Sequence, residues 1–221
     1  IVGQAWVAAG EIARHNERDI TNIVLMGMGE PLLNFRNSII ATNIFKEDLA
    51  FGLSKRRVTI STVGIVPAIH KMKESTDVSL AVSLHAPINE IRSKFVPINQ
   101  KYPLEQLIPA CASYIDDKLH RSITWEYVML AGINDSDQDA KKLVSLIRGI
   151  PSKVNLIPFN PYEGCDLRCS SDERMARFAR VIHNSGFTVT IRRSRGDDIA
   201  AACGQLVGSG KQSEKGTGKK V

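Results

Sequence analysis

The sequence predicts an α/β protein built around a parallel sheet. Short apolar, β-branched runs recur along the 221 residues, and amphipathic helical segments lie between them. With 43% hydrophobic residues the chain can bury one sizeable core, which favours a single domain. Such an alternation of strands and helices is typical of parallel sheets with right-handed crossovers, either open or curled into a barrel.

Six runs are predicted to be strands because they combine β-branched and large apolar residues. They are Ile23–Met26, Arg57–Ile60, Val78–Ser83, Ile123–Leu130, Lys153–Ile157 and Phe187–Arg192. Two intervening segments place their apolar residues on one helical stripe. These residues are Leu104, Leu107, Ile108, Cys111 and Ile115 in the first segment, and Met175, Phe178 and Ile182 in the second. Pro109 lies inside the first helix and is expected to kink it or shift its start.

The cysteine content, the apolar runs and the charge distribution indicate the kind of compartment in which the protein is found. Four widely spaced cysteines do not form the dense framework of a small secreted domain, which favours the reducing cytoplasm. No apolar run approaches the roughly 18 residues that a membrane span needs. Four lysines and one glutamate give residues 208–221 half of the net charge of +6. This segment is predicted to be a disordered basic tail, either a solubilising end or a segment attracted to phosphate backbones.

Small and polar residues follow every predicted strand. In parallel α/β folds the ligand binds at the carboxyl ends of the strands, so these residues are the candidates for a site. The segments are 27–31 (GMGEP), 61–64 (STVG), 83–87 (SLHAP), 134–135 (ND), 158–161 (PFNP) and 193–198 (RSRGDD). Turns alone also favour Gly, Pro, Asn and Ser, but a histidine and a glutamate in these places exceed what turns require.

The candidate residues in these segments suit a polar ligand. Gly29 lets a ligand approach the backbone, and Glu30 offers an acceptor for an ammonium or hydroxyl group, unless the pair forms only a tight turn. Ser61 and Ser83 are possible donors to a carboxylate or a ribose, and His85 is either a further donor or a structural histidine. Asn160 either contacts an adenine edge or closes a turn. A dinucleotide fingerprint at Gly27-x-Gly29 is disfavoured, because Pro31 and Leu32 occupy the positions that follow.

The cysteines differ in their surroundings. Cys111 lies on an apolar helical stripe and is predicted to be core. Cys165 and Cys169 are interpreted as loop thiols, because no third cysteine and no histidine follow at metal-ligand spacing. Cys203 follows the last polar loop and precedes a glycine, a position that fits either a buried inert thiol or a reactive one.

Taken together, six motifs resemble one family. They are GMGEPLLN (27–34), STVG (61–64), SLHAP (83–87), EYVMLAGIND (126–135), PFNP (158–161) and RGDDIAAACGQL (195–206). The sequence is similar, over about residues 1–206, to the radical S-adenosylmethionine RNA methyltransferases that methylate C2 of adenine. The resemblance implies a partial (β/α) barrel over residues 1–207, with a C-terminal loop that carries a methylated cysteine, and the tail 208–221 beyond it.

By the same resemblance the motif positions acquire roles. S-adenosylmethionine and a [4Fe-4S] cluster are the implied cofactors. The residues expected to bind S-adenosylmethionine are Gly29, Glu30, Ser61, Ser83, Leu84, His85 and Asn160. Cys203 is the expected catalytic residue: it would carry the methyl group as S-methylcysteine and later form a disulfide with a second, upstream cysteine. Arg193 and Arg195 are candidates for the positive charge that favours the Cys203 thiolate.

The sequence departs from the family pattern in one respect. The CxxxCxxC triad that ligates the cluster is absent, so we expect the first strand and the cluster loop of the barrel to be missing. Metal ligands are therefore not assigned to any residue. We expect this chain by itself to be inactive and to hold no cluster.

The resemblance also implies partners. They are 23S ribosomal RNA, transfer RNA and an electron donor such as flavodoxin, with a monomeric cytoplasmic enzyme and no membrane. The basic runs Lys55–Arg57 and Arg192–Arg195 lie near loops of the predicted active face, where they would either contact RNA phosphates or form only a solvated strand edge. Two alternatives stay open: the related adenine-C8 methyltransferase that confers antibiotic resistance, and a non-catalytic RNA-binding remnant.

Overall fold

Six parallel strands form one sheet, and their order across the sheet follows their order along the chain. The computed structural model describes residues 1–15, 20–116, 121–162 and 164–192. The strands are β1 (Ile23–Leu25), β2 (Val58–Thr62), β3 (Ser79–Ser83), β4 (Ile123–Met129), β5 (Ser152–Pro158) and β6 (Thr188–Ile191). All six predicted strands are confirmed, and each observed boundary lies within two residues of the predicted one.

Helices connect the strands within these described ranges. They are α1 (Val2–Arg14), α2 (Phe35–Lys46), α3 (Val66–Ser75), α4 (Asn89–Phe95), α5 (Leu104–Ile115), α6 (Asp137–Leu146) and α7 (Asp172–Asn184), and a short 3-10 helix, Pro97–Gln100, follows α4. Helix α5 begins at Leu104 and continues past Pro109, so the proline does not shift its start. Cys111 is fully buried on α5, as predicted, and Met175, Phe178 and Ile182 are buried on α7.

The sequential strand order determines the type of α/β fold. A doubly wound sheet reverses its winding at a switch point, whereas this sheet never reverses. Right-handed crossovers in a single direction place all helices on one face, and such a sheet curls into a barrel. Within the described chain, β1 pairs only with β2 and β6 only with β5, so the barrel is partial, as predicted.

The two faces of the sheet differ in chemistry. The helix-covered face carries large apolar side chains such as Ile60, Trp125 and Leu156, all fully buried. The opposite face carries the alternate residues, among them Ser61, Ser83 and Glu126. Because side chains alternate between faces along a strand, the polar residues all project into the concave interior of the partial barrel.

Two helices begin at serine caps that fix their approach to the sheet. At α6 the Ser136 hydroxyl accepts a hydrogen bond from the Asp139 amide, and Asp139 accepts one from the Ser136 amide, both 3.1 Å long. At α7 the Ser171 hydroxyl accepts from the Arg174 amide at 3.2 Å. Each cap satisfies backbone N–H groups that the first helical turn leaves without partners.

Several predictions fall beyond residue 192. Arg193, Arg195, Cys203 and the basic tail 208–221 lie outside the described residues, so their roles and the proposed division at residue 207 stay predictions. Among the helices that are described, none is long and apolar enough to cross a bilayer.

Candidate functional site

A cavity of about 290 Å³ opens at the carboxyl ends of the strands. Five of the seven predicted cofactor residues line it: Gly29, Glu30, Ser61, Ser83 and His85. The other lining residues are Leu25, Met26, Gly27, Pro31, Thr62, Val63, Glu126, Val128, Ile157 and Arg192. The cavity therefore combines carboxylates, hydroxyls and an imidazole with an apolar wall, which is the usual composition of a small-molecule site.

Glu30 is held in place by two backbone amides from different loops. Its Oε1 accepts a hydrogen bond from the Leu32 amide at 3.0 Å, and its Oε2 accepts one from the Val63 amide at 2.8 Å. Gly29, immediately before it, has a φ of 87°, which lies in the left-handed region. A carboxylate has about four lone-pair positions, so Glu30 can still accept hydrogen bonds from a ligand ammonium group.

A buried arginine joins the ends of β2 and β3. The Arg92 guanidinium, fully buried on α4, donates to the carbonyl oxygens of Val63 at 2.6 Å, Ser83 at 3.0 Å and Leu84 at 3.1 Å. It also donates to Asn99 Oδ1 at 2.7 Å. Burial lowers the pKa of Arg92 to about 10, so the group remains charged at neutral pH. The planar guanidinium therefore connects several neutral acceptors that no shorter side chain could reach together.

His85 has a backbone conformation that is unusual for a residue with a side chain. Its φ is 59°, in the left-handed region. The His85 amide donates to the Glu126 carbonyl at 3.2 Å, and the His85 carbonyl accepts from Asn134 Nδ2 at 2.7 Å. The imidazole Nδ1 accepts a hydrogen bond from the Val128 amide at 3.2 Å. In a neutral ring the proton must then lie on Nε2, which makes Nε2 a donor.

The charge state of His85 follows from its surroundings. Burial, and secondarily the positive charge of Arg92, lower the pKa of His85 to about 4. The imidazole is therefore neutral at physiological pH and acts as a hydrogen-bond donor rather than as a cation.

The amide of Asn134 organises the loop after β4. Asn134 is fully buried, and its Oδ1 accepts from the Leu130 amide at 2.8 Å. Its Nδ2 donates to the Val128 carbonyl at 2.8 Å as well as to His85. Asn134 thus fixes the position of His85 relative to β4, although it does not line the cavity itself.

Leu84 and Asn160 have a different relation to the cavity. Leu84 is fully buried, and its carbonyl accepts from Arg92 Nε. Asn160 follows β5 at the same edge of the sheet. Neither belongs to the described residues that line the cavity, so their role in cofactor binding stays a prediction.

The position of one basic run was predicted wrongly. Lys55–Arg57 precede β2, so they lie at the amino ends of the parallel strands, opposite the cavity. Lys55 forms an ion pair with Asp77 at 2.9 Å, and Arg57 donates to the Thr21 carbonyl at 3.0 Å. Arg192 follows β6 and lines the cavity, as expected for a residue at the active face.

Sequence reasoning did not select Arg92 or Glu126 as site residues, and it included Asn134 in the candidate segment 134–135 without assigning it a role. A signal existed for Glu126, because it is the one charged residue inside the apolar run of β4. Arg92 and Asn134 act through contacts to distant parts of the chain, which spacing along the sequence does not reveal.

The described residues contain no group of three His, Cys, Asp or Glu side chains placed to hold a metal ion. Burial raises the pKa of the Cys169 thiol, and Cys111 is enclosed in the core with its pKa raised to about 12. Both effects disfavour the thiolate form that metals require. With Cys111 enclosed in the core, the described residues do not offer three cysteines that could hold a cluster together.

The model of the Radical SAM superfamily matches residues 7–144. The chain belongs to this superfamily. A protein named dual-specificity RNA methyltransferase RlmN from Alkalilimnicola ehrlichii is 58% identical over 94% of this chain and 58% of its own length. Its namesake from Halorhodospira halophila is 60% identical over 94% of this chain and 57% of its own length.

A solved structure is also similar to this chain. A radical SAM methyltransferase from Sphaerobacter thermophilus superposes with a TM-score of 0.86 and 44% identity, covering 92% of this chain and 60% of that one. The chain thus spans less than two thirds of the length of the proteins that it matches.

Proposed function

We propose that this chain forms the catalytic core of an RNA methyltransferase. The enzyme would methylate C2 of adenine in 23S ribosomal RNA and in transfer RNA, with S-adenosylmethionine and a [4Fe-4S] cluster as cofactors. One observation carries the proposal: residues from separate motifs line a single cavity in a chain about 60% identical to proteins named dual-specificity RNA methyltransferases.

The residues of the cavity fit S-adenosylmethionine. Glu30, fixed by two amides, would accept the ammonium group of the methionine part. Ser61, Ser83 and the Nε2–H of His85 would donate to carboxylate or ribose oxygens. Met26, Val128 and Ile157 supply apolar surface for the rest of the molecule. When bound, S-adenosylmethionine supplies the methyl group, and with an electron from the cluster it supplies the radical chemistry.

Cys203 is the proposed methyl carrier. C2 of adenine is a poor nucleophile, so it cannot displace a methyl group from a sulfonium directly, and a covalent carrier separates methyl capture from carbon–carbon bond formation. A thiolate at Cys203 would first take the methyl group from the sulfonium of S-adenosylmethionine, so that an S–CH3 bond forms on Cys203 and S-adenosylhomocysteine leaves. The motif RGDDIAAACGQL around it supports this assignment, which rests on sequence alone.

A chimera tests the proposal. In it, this chain replaces the matching part of the 58% identical relative, which supplies the remaining segments of a full-length enzyme. After reconstitution and reaction with 23S ribosomal RNA fragments and transfer RNA, nucleoside mass spectrometry with authentic standards should detect 2-methyladenosine. Cys203→Ser should abolish the product. If the chimera forms 8-methyladenosine, the related C8 activity replaces the proposed one, and if the relative is active but the chimera is not, an RNA-binding remnant is favoured.

Further expectations depend on this function. The proposed RNA substrates imply a cytoplasmic location, and the radical chemistry needs an electron donor such as flavodoxin. We further expect the enzyme to act as a monomer.

A further inference from the structure

A row of polar residues crosses four strands on the concave face of the sheet. In the strand register Ser83 lies beside Glu126, Glu126 beside Asn155, and Asn155 beside Thr190. Residues in register on one face are within contact distance, so the row forms a continuous polar line across the sheet. Ser83 and Glu126 are its cavity-lining members.

Directed hydrogen bonds connect three members of the row. The Thr190 hydroxyl donates to Asn155 Oδ1 at 3.0 Å, and Asn155 Nδ2 donates to Glu126 Oε2 at 2.8 Å. These contacts orient the Glu126 carboxyl group and use its Oε2. No hydrogen bond to Oε1 is found among the described residues, and Oε1 is not one of the enclosed side-chain atoms, so it remains accessible from the cavity that Glu126 lines.

The lone pairs of Oε1 are therefore available to a donor group of a ligand in the cavity. Burial raises the pKa of Glu126, while the Asn155 hydrogen bond and the charge of Arg192 oppose this effect. Arg192 lines the same cavity and is anchored by its amide, which donates to the Leu156 carbonyl at 2.8 Å. Burial is the largest of these effects, so the pKa of Glu126 is raised overall, and the charge of Arg192 limits the rise.

The position of Glu126 indicates which part of a ligand it would meet. Glu30, the proposed ammonium acceptor, is held at the ends of β1 and β2, whereas Glu126 lies on β4. Neighbouring strands are about 4.8 Å apart, so the two acceptors are separated by roughly 10 to 14 Å across the sheet. A ligand whose amino acid end meets Glu30 would therefore present its nucleoside part towards Glu126.

We propose that Glu126 is a ligand-binding residue whose Oε1 accepts a hydrogen bond from a hydroxyl or amino group of a nucleoside, with Arg192 beside it. The inference rests on the proposed function and extends its site. The nucleoside belongs either to S-adenosylmethionine or to the adenosine of the RNA substrate. Both present the same donors, so the experiment must separate the two sources.

The substitution Glu126→Gln tests this role in the chimera. Glutamine can keep an oxygen for Asn155, and it then places an NH₂ donor where the ligand needs an acceptor. Glu105→Gln is the matched control: Glu105 also accepts from an asparagine amide, Asn89 Nδ2 at 2.9 Å, but it lies outside the cavity. Equilibrium dialysis gives the Kd for S-adenosylmethionine without turnover, and filter binding gives the Kd for RNA.

We expect Glu126→Gln to weaken one of these affinities at least tenfold, because one hydrogen bond to a charged group is lost. Glu105→Gln should change neither affinity. A weaker affinity for S-adenosylmethionine assigns Glu126 to the cofactor, and a weaker affinity for RNA alone assigns it to the substrate adenosine. If both Kd values stay within twofold of the parent chimera, the proposal is overturned, even if turnover falls.

Changes in the ligand provide a second test that does not depend on the folding of a variant. The unsubstituted chimera is tested with two sets of ligands, which are analogues of S-adenosylmethionine and RNAs with an altered target adenosine. In each ligand the nucleoside lacks the 2′-hydroxyl, the 3′-hydroxyl or the 6-amino group. One of them should lose at least tenfold in affinity, and in Glu126→Gln that loss should disappear. Equal binding of all analogues would overturn the proposal while leaving the proposed methyltransferase function intact.

Discussion

At the scale of single residues, the conformation of His85 is costly by itself. A left-handed backbone costs a residue with a side chain about 1 to 2 kcal/mol. Hydrogen bonds to Glu126, Val128 and Asn134 hold the backbone and the ring. Strained conformations of this kind persist where surrounding contacts determine them, and they cluster at functional sites.

The pKa of His85 gives the first prediction. We expect NMR titration of the imidazole to give a pKa of about 4, compared with about 6.5 for a histidine in the unfolded chain. Because the folded state disfavours protonation, this group should reduce the free energy of unfolding as the pH falls from about 6.5 to about 4. His85→Gln should remove the NMR signal and that part of the pH dependence. A His85 pKa above 6 would contradict the burial of the ring.

Arg92 provides the second prediction. In Arg92→Lys a single ammonium group replaces a planar fork, so it cannot reach all the acceptors on Val63, Ser83, Leu84 and Asn99. We expect the free energy of unfolding to fall by about 3 kcal/mol, as buried carbonyl oxygens lose their donors. Urea denaturation with an unchanged m value measures this loss. The exposed Arg148→Lys is the control and should change stability by less than about 0.5 kcal/mol.

At the scale of secondary-structure elements, a glycine determines how closely β2 approaches α5. Gly64 follows β2 with a φ of 106°, and a Cβ atom there would lie 2.9 Å from Cδ1 of Leu107. Leu107 is fully buried on α5, so its methyl groups have little room to move. The close approach brings α5 onto the strand whose end holds Glu30.

The third prediction concerns this contact. Gly64→Ala should destabilise the chain by about 2 to 4 kcal/mol, because backbone strain and overpacking act together. Gly186→Ala is the matched control: Gly186 has a φ of 88°, but no atom lies within 4 Å of the position that a Cβ atom would take there. It should cost only about 1 to 2 kcal/mol from strain. Equal losses in the two variants, measured by chemical denaturation, would show that Leu107 gives way.

Sequence reasoning succeeds for elements and fails for some contacts. The six strands were predictable because β-branched runs and polar ends are local signals. Glu30 and His85 were recognisable because they follow strands. Arg92 was not, since it meets Val63 from 29 residues away through a backbone carbonyl, and any residue type supplies such an acceptor. Asn134 lay in a candidate segment, but its role was not predicted for the same reason: its partner is the backbone of His85, 49 residues earlier.

At the scale of the whole molecule, the parallel arrangement separates two groups of positive charge. Residues that precede strands lie at one end of the partial barrel, and residues that follow strands lie at the other. Arg56 belongs to the first group and Arg192 to the second. Both arginines are positively charged, so their different distances from the cavity decide which of them can influence ligand binding.

The fourth prediction follows from this separation. Arg56→Gln should leave the Kd for S-adenosylmethionine in the chimera within twofold, because screened surface charges act weakly beyond about 10 Å. Arg192→Gln removes the same charge beside the cavity. It should change the Kd of the ligand, S-adenosylmethionine or RNA, that Glu126 binds. Equilibrium dialysis on both variants makes the comparison. A larger effect at Arg56 would contradict the assignment of the cavity as the binding site.

Two backbone amides at the cavity are natural reporters of its state. The amides of Val63 and Val128 donate to the side chains of Glu30 and His85. If either side chain turns towards a ligand, the hydrogen bond that it accepts from one of these amides changes in length or breaks. Their hydrogen-exchange rates and NMR shifts therefore give two separate signals, one for each end of a bound molecule, without any label being introduced into the protein.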